Sequence, residues 1–195
     1  MRERSVLTDG LPCTVPVDGV EIPVETDYRA GLLFYDLLRD TELPEGVRLN
    51  LFAEFACGGI PAGTEPEQLY TALFDFYAME NPVQLSGGQT TGEPVMDFTF
   101  DGDRILASFQ AAYGIDLTAV RMHWWQFLTL LAALPPDTVF MRTVRLRMLD
   151  LSAVEDDGLR HSLRMAKRAV RIPRERIPGE KIPGKKGAGS GNDSK

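Results

Sequence analysis

Residues 112 to 138, AYGIDLTAVRMHWWQFLTLLAALPPDT, contain both tryptophans of the chain and one of its two histidines. The stretch predicts a helix from about Leu117 to Leu134, because six apolar residues recur at helical spacing: Leu117, Val120, Trp124, Phe127, Leu128 and Leu131. Two prolines then end it. Trp124 lies in the apolar stripe and is expected in the hydrophobic core. Trp125 lies about 100° further round the helix, so we expect it to pack against a neighbouring helix or a partner protein.

The histidine beside these two tryptophans also suggests a site at which a base or a sugar stacks. Surfaces that stack nucleotides are normally electropositive. Residues 1–158 instead contain 10 arginines, no lysine and 25 acidic residues, which gives this part of the chain a formal charge of −15. We therefore favour core or partner packing over ligand stacking, and Met122, Trp125 and Phe127 are the candidate partner-binding residues of this stretch.

The segment before residue 27 predicts a β-hairpin. Val15 and Val17 alternate on the first strand, Asp18-Gly19 is a typical two-residue turn, and three apolar residues alternate on the return: Val20, Ile22 and Val24. Prolines at positions 16 and 23 lack amide donors, so the two segments are either edge strands or a short two-stranded ribbon. A lone hairpin is marginally stable in water, so we expect this one to lie against the helices that follow.

Helical periodicity with matching end signals predicts most of the other elements. Before residue 112 the predicted helices are DYRAGLLFYDLLRD with Asp27 as N-cap, PEGVRLNLFAEFA ending at Gly58-Gly59, TEPEQLYTALFDFYAME with a capping box of Thr64 and Glu67, and FDGDRILASFQAAYG ending at Gly114. After residue 134 they are PDTVFMRTVRLRMLDL with Asp137 as cap, and GLRHSLRMAKRAV with a capping box of Ser152 and Glu155.

The last of these helices is cationic and amphipathic, and four of its apolar residues are expected to face inward: Leu159, Leu163, Ala166 and Val170. Arg160, Arg164 and Arg168 on this helix are further candidate partner-binding residues. Residues 159–195 contain 11 basic and 3 acidic residues, a formal charge of +8. Ile-Pro recurs at positions 172, 177 and 182 before an end rich in Gly, Ser and Lys, which predicts a disordered tail.

These patterns predict a mainly α fold, with a compact helical domain, a short N-terminal β-hairpin and a disordered, basic C-terminal tail. We assign residues 1–26 to the hairpin segment, 27–151 to the helical core domain, 152–171 to the basic helix and 172–195 to the tail. The N-terminus lacks the apolar region of a secretory signal, and no stretch reaches the roughly 18 to 20 apolar residues of a membrane span. We therefore expect a cytosolic protein that does not enter a membrane.

The motifs of common active sites are incomplete in this sequence. Gly87 and Gly92 have P-loop spacing, but Glu93 stands where a phosphate-binding lysine is needed. An EF-hand loop beginning at Asp97 would have Ser108 where a bidentate glutamate is required. The chain contains no HExxH, GxSxG or CxxC motif. We therefore predict a protein that is not an enzyme, with no catalytic residue, cofactor or metal site, and interpret the acidic residues 97, 101 and 103 as favourable charges at a helix N-terminus.

Three consecutive motifs connect the sequence to a known family. They are Phe98, Phe100 and Asp103 in an F-x-F-x-x-D segment, then ASFQAAYGIDL from Ala107 to Leu117, then HWWQF from His123 to Phe127. Together with residues 12–151 around them, they resemble a family of phage minor structural proteins encoded in the tail-morphogenesis regions of long-tailed phages and prophages. The resemblance implies a tail assembly chaperone, a small, mostly helical, non-catalytic protein that coats the tape-measure protein while tail-tube subunits assemble around it.

The resemblance also implies partners and a place of action. The partners would be the tape-measure protein, other tail assembly proteins and, in a homo-oligomer, further copies of this chain; the location would be the cytoplasm of the bacterial host or the virion tail. An aromatic or methionine-bearing groove would receive a helical client, and five methionines are available for it: Met79, Met96, Met122, Met141 and Met148. The alternative is a minor structural protein that stays in the virion. Nucleic-acid binding by the basic residues 159–186 is the weakest hypothesis, because the acidic body would repel phosphates.

Overall fold

A computed structural model of the chain describes residues 10–78 and 94–173. Its elements, in chain order, are β1 (Thr14–Val17), β2 (Val20–Pro23), α1 (Tyr28–Arg39), α2 (Glu45–Cys57), α3 (Pro66–Ala78), α4 (Gly102–Tyr113), α5 (Trp124–Ala132), α6 (Val139–Met148), a 3-10 turn (Leu151–Ala153) and α7 (Asp157–Ala169). The prediction of a mainly α fold with an N-terminal β-hairpin is confirmed. No helix in the described residues is both long enough and apolar enough to cross a membrane.

The hairpin folds around the turn that the sequence predicts. Asp18 and Gly19 have φ angles of 50° and 78°, as a two-residue turn between twisted antiparallel strands requires. Strand β1 packs against α3, and Val15 and Val17 are buried. On β2 the alternation ends in one buried and one exposed residue: Ile22 is 5% exposed, whereas Val20, next to the turn, is 62% exposed.

A short backbone bridge joins the start of α1 to the start of α5. Asp27 and His123 pair antiparallel: the Tyr28 amide donates to the Met122 carbonyl at 2.8 Å, and the Trp124 amide to the Thr26 carbonyl at 2.7 Å. Residues 114–123 therefore form turns and extended structure. The predicted helix from Leu117 to Leu134 is wrong in its first part, before residue 124. The helix begins at Trp124 because the bridge uses the backbone groups that an earlier start would need.

Trp124 is the centre of the core, as its place in the apolar stripe predicts. It is fully buried, and its indole Nε1 donates to the Tyr77 carbonyl of α3 at 2.9 Å. Its ring stacks on Phe127 with centroids 5.7 Å apart. On the other side the indole lies against Gly31 of α1, and a methyl group at Gly31 would fall deep inside van der Waals contact with the ring. Helices α1 and α5 approach this closely because position 31 has no side chain.

Two buried aspartates at the start of α4 are neutralised by arginines from elsewhere in the chain. Asp101 receives two hydrogen bonds from the Arg147 guanidinium of α6, at 2.6 and 2.8 Å, and Asp97 is paired with Arg39 of α1. Arg147 also donates to the carbonyls of Val95 and Val170, at 3.0 and 2.7 Å. The aspartates do lie at a helix N-terminus, but arginine side chains supply the neighbouring charge.

The helix ends agree only in part with the capping signals. Asp27 caps α1, and glycines 58 and 114 end α2 and α4 in the left-handed conformation, as predicted. Three caps are wrong because each helix starts later than its signal. Helix α3 starts at Pro66, two residues after Thr64; Thr138, not Asp137, caps α6; and Asp156, not Ser152, caps α7, since residues 151–153 form the 3-10 turn.

Helix α7 does not bury the face predicted to point inward. None of its residues is buried, and Leu159 is 52% exposed. The helix packs against α6 and the 3-10 turn, and is attached by the Lys167 ammonium, which donates to the Leu149 carbonyl at 2.8 Å. Ile172, the first residue assigned to the tail, is buried. The rest of the predicted tail, residues 174–195, lies outside the described residues.

The contact between Gly31 and the indole leads to a matched pair of substitutions. Gly31→Ala forces a methyl group into the Trp124 ring, and overpacking of this kind costs about 1–3 kcal/mol. Gly46→Ala, near the start of α2, meets open space and should stabilise the helix by about 0.5–1 kcal/mol. Urea unfolding of the two variants measures both changes. Equal effects would contradict the close approach of α1 and α5.

The buried ion pair between Arg147 and Asp101 predicts that two arginine substitutions on α6 have different effects on stability. Arg147→Met leaves the Asp101 carboxylate buried beside a single, half-buried Arg104, and breaking a buried pair costs about 3–5 kcal/mol. Arg145→Met, at an exposed position of α6, should change the free energy of unfolding little. Thermal melts of both variants compare them directly. A mild effect of Arg147→Met would mean that the pair is not needed for stability.

Candidate partner-binding surface

The side chains of the His-Trp-Trp sequence make their polar contacts within the chain. Trp125 is half-buried, its Nε1 donates to the Phe76 carbonyl at 3.0 Å, and its ring lies 5.6 Å from that of Phe76. The His123 Nδ1 accepts from the Trp125 amide at 3.1 Å, so His123 is the N-cap of α5. Its Nε2 is 2.8 Å from the Pro12 carbonyl and therefore carries the proton. This arrangement fixes the helix start, and Trp125 keeps only part of its side chain exposed.

The other two candidates on α5 and before it lie in the core. Met122 is 7% exposed and Phe127 1%, so neither presents a surface to a partner in this conformation. Three of the other methionines proposed for a groove, Met96, Met141 and Met148, are partly buried and pack against the same core. The fifth, Met79, lies outside the described residues. The bridge between Asp27 and His123 explains why Met122 and Phe127 are buried although they were expected to bind a partner, because it turns both residues inward.

The three arginine candidates lie on α7 but differ in their contacts. Arg160 is half-buried, pairs with Asp157 and donates to the Val154 carbonyl, so it holds the start of its own helix. Arg164 and Arg168 are exposed and line a cleft beside α7. The structure thus brings two of the six candidate residues together at one open site.

An exposed apolar ridge on α2 is a feature that the sequence reasoning missed. Val47, Leu51 and Phe55 are 44%, 49% and 49% exposed, and their spacing of four residues places them in one row along the helix. The opposite side of α2 buries Phe52, Ala53 and Ala56. A helix that is apolar all round is normally buried, so the sequence did carry a signal. We call Val47, Leu51 and Phe55 the α2 ridge.

The helices beside α2 carry two more exposed apolar side chains. Leu38 of α1 is 42% exposed and Phe74 of α3 is 48% exposed, and both helices pack against α2. A small groove of about 70 Å³ lies between α1 and α2, with Leu38 in its wall. Arg48 crosses from α2 to donate to the Leu38 carbonyl at 3.1 Å, which closes the end of α1. Exposed apolar side chains are thus present on each of these three helices, and the α2 ridge is the largest row of them on one helix.

Three described side chains of types that serve in catalysis are engaged or protonated. Asp97 and Asp101 are bound by arginines. Burial raises the pKa of the Cys57 thiol, which keeps the nucleophilic thiolate scarce at neutral pH. Within the described residues, no three His, Cys, Asp or Glu side chains are grouped as metal ligands would be.

The position of His123 predicts a pH dependence of stability. Burial lowers the pKa of His123 from its ordinary value of 6.5, and a second proton would go to the Nδ1 that caps α5. The unfolded chain then binds protons more readily, so the contribution is full above about pH 6.5 and is lost as the pH falls below it. His123→Asn, which keeps a capping oxygen, should lose less stability than the parent between about pH 7.5 and about pH 5.5. His161→Asn, at an exposed position of α7, is the control that should leave the slope unchanged. Equal slopes for all three proteins would exclude a role for His123.

The family follows from a match over most of the chain. Residues 7–172 match the family model described as Bacteriophage Gp15 protein. The matched range includes the hairpin and extends through α7 to the buried Ile172. No curated protein and no solved structure matches the chain. The resemblance to a bacteriophage protein family is thus confirmed at the level of the family, and the chain belongs to the bacteriophage Gp15 protein family.

Proposed function

We propose that this protein is a non-catalytic tail assembly chaperone that binds a helical segment of the tape-measure protein in the cytoplasm of the bacterial host. The observation that carries the proposal is the exposed α2 ridge. Membership of a bacteriophage protein family supports it, since tail assembly is a process of phages. The resemblance to tail-morphogenesis proteins supplies the identity of the client.

The shape of the α2 ridge suits a helical client. Residues four apart on one helix form a ridge that fits the groove between side chains of another helix. Leu51 and Phe55 are each about half exposed, so a docked helix can remove the rest of their surface from water. A tape-measure protein is long, helical and apolar, and it would be insoluble until the tube surrounds it.

The size of this surface predicts weak, reversible binding. Covering the exposed half of an apolar side chain contributes about 1 kcal/mol. The three ridge residues would contribute about 3 kcal/mol, whereas a micromolar complex requires about 8 kcal/mol. One copy alone would bind the client loosely, and several copies along one client would be needed for lasting protection. Loose binding suits a chaperone that tube subunits must displace.

The charge of the body would keep such a complex in solution. Residues 1–158 carry a formal charge of −15, and a high net charge opposes aggregation. The same charge repels the phosphates of nucleic acid, which favours a protein client.

Co-expression with the tape-measure protein of the same phage tests this function. The parent protein should keep the client soluble and co-purify with it. Leu51→Gln with Phe55→Gln removes the apolar ridge at two exposed positions and should abolish recovery of the soluble client. Leu159→Gln with Met165→Gln is the matched control, because both residues are 52% exposed on another helix, and it should bind as the parent does.

Three results would contradict the proposal. No soluble complex with the parent protein would exclude the client, and loss of binding only in the α7 control would exclude the α2 ridge. Mass spectrometry of purified virions gives the third. A chaperone should be absent from the particles, whereas a stoichiometric amount there would make the protein a structural component.

A further inference from the structure

A cationic cleft lies between α7, the 3-10 turn, the end of α6 and residues 94–95. Its volume is about 390 Å³. Among the described residues that line it, five of nine are arginine or lysine and none is acidic. A cleft of this size can enclose a small number of side chains from a partner. Its one-sided charge needs a physical explanation.

The charge comes from one face of α7. Lys167 and Arg168 lie three and four residues after Arg164, so all three side chains emerge on the same side of the helix. Like charges at this spacing destabilise a helix unless an anion lies nearby. Repulsion among these three cations therefore destabilises α7, and a bound anion would remove that repulsion.

The acidic body does not neutralise the two arginines of this face. Neither Arg164 nor Arg168 makes a side-chain hydrogen bond or ion pair with any other residue that the structure describes. Lys167 donates to the Leu149 carbonyl and also helps to lower the pKa of the exposed Asp150 carboxylate, so its charge is partly balanced. Arg147 also lines the cleft, but its guanidinium is already bound by Asp101. The unneutralised charge thus belongs to the α7 side of the cleft.

The other walls are apolar. Val95, Leu151 and Ile172 line the cleft, and Ile172 is 3% exposed. The backbone on both sides is fixed, because Arg147 donates to the carbonyls of residues 95 and 170. The cleft therefore combines a fixed apolar floor with a cationic rim.

We propose that this cleft binds an acidic peptide segment of a partner protein. Glutamate or aspartate side chains would pair with Arg164, Lys167 and Arg168, since the arginine guanidinium matches a carboxylate with two parallel hydrogen bonds. An apolar side chain between the acidic residues would lie on the floor formed by Val95, Leu151 and Ile172. The inference does not depend on the tape-measure client, because it uses α7 and not the α2 ridge.

A peptide is favoured over nucleic acid for two reasons. No aromatic side chain lines the described part of the cleft, whereas single-stranded nucleic acid is held by stacking on aromatic rings. The body around the cleft is strongly acidic, which repels an extended phosphate backbone but tolerates a short segment inserted between the cations.

Fluorescence anisotropy with a labelled peptide of alternating glutamate and leucine tests the proposal on the full chain. Arg164→Glu with Arg168→Glu should weaken binding at least about tenfold, because two attractive contacts become repulsive. Arg142→Glu with Arg145→Glu makes the same change in net charge at two exposed positions of α6 outside the cleft. This control should bind within about twofold of the parent. Circular dichroism would show that both variants keep their helices.

Four outcomes would overturn the proposal. Absence of peptide binding by the parent would do so, and so would equal weakening in both double variants, which would indicate only net charge. Tighter binding of single-stranded DNA than of the peptide, lost in the α7 variant, would assign the cleft to nucleic acid. Self-association of the parent that disappears in the α7 variant would assign it to a second copy of the chain. Peptide binding that persists while the tape-measure protein fails to co-purify would overturn the chaperone function alone.

Discussion

The close contact of the Trp124 indole with Gly31 is the constraint on which the rest of the fold depends. It holds α1 and α5 closer together than any side chain at position 31 would allow. The bridge between Asp27 and His123 fixes the same two helices at their starts, and the indole nitrogen adds α3 through the Tyr77 carbonyl. The hairpin then packs on α3. One side chain thus sets the relative positions of three helices and, through α3, of the hairpin.

The local part of this fold could be predicted from the sequence, and the long-range part could not. Helical periodicity, the Asp18-Gly19 turn and the glycine at position 114 act within a few residues, and the structure has the elements that they predict. The bridge at His123 joins positions 96 residues apart, and no periodic signal reports it. Because Leu117 and Val120 happened to continue the spacing of Trp124, the pattern extended the helix across a segment that the bridge holds in turns.

The candidate site was missed in a comparable way. Trp125 is a large aromatic residue outside the apolar stripe of its helix, which favoured a partner contact, but Phe76 covers part of it and its carbonyl accepts the indole hydrogen bond. Leu51 and Phe55 lie in a helix whose apolar residues cover both sides, and a pattern of that kind does not show which side is buried. Only the positions of α1 and α3 decide it. Arg147 is similar, since its partner Asp101 is 46 residues away and both residues are of types usually found at the surface.

Arg147 also explains why the charges of α7 stay available. A basic helix attached to an acidic body would be expected to form ion pairs with that body. Helix α7 is instead held by a hydrogen bond from Lys167 to the Leu149 carbonyl, by one from Arg147 to the Val170 carbonyl and by the packing of Ile172. Backbone contacts of this kind position the helix without neutralising Arg164 or Arg168. The body uses a single arginine, already paired with Asp101, to fix the end of the basic helix. The folded protein therefore presents two surfaces of different chemistry. One is the apolar α2 ridge within an acidic body, and the other is the cationic cleft beside α7.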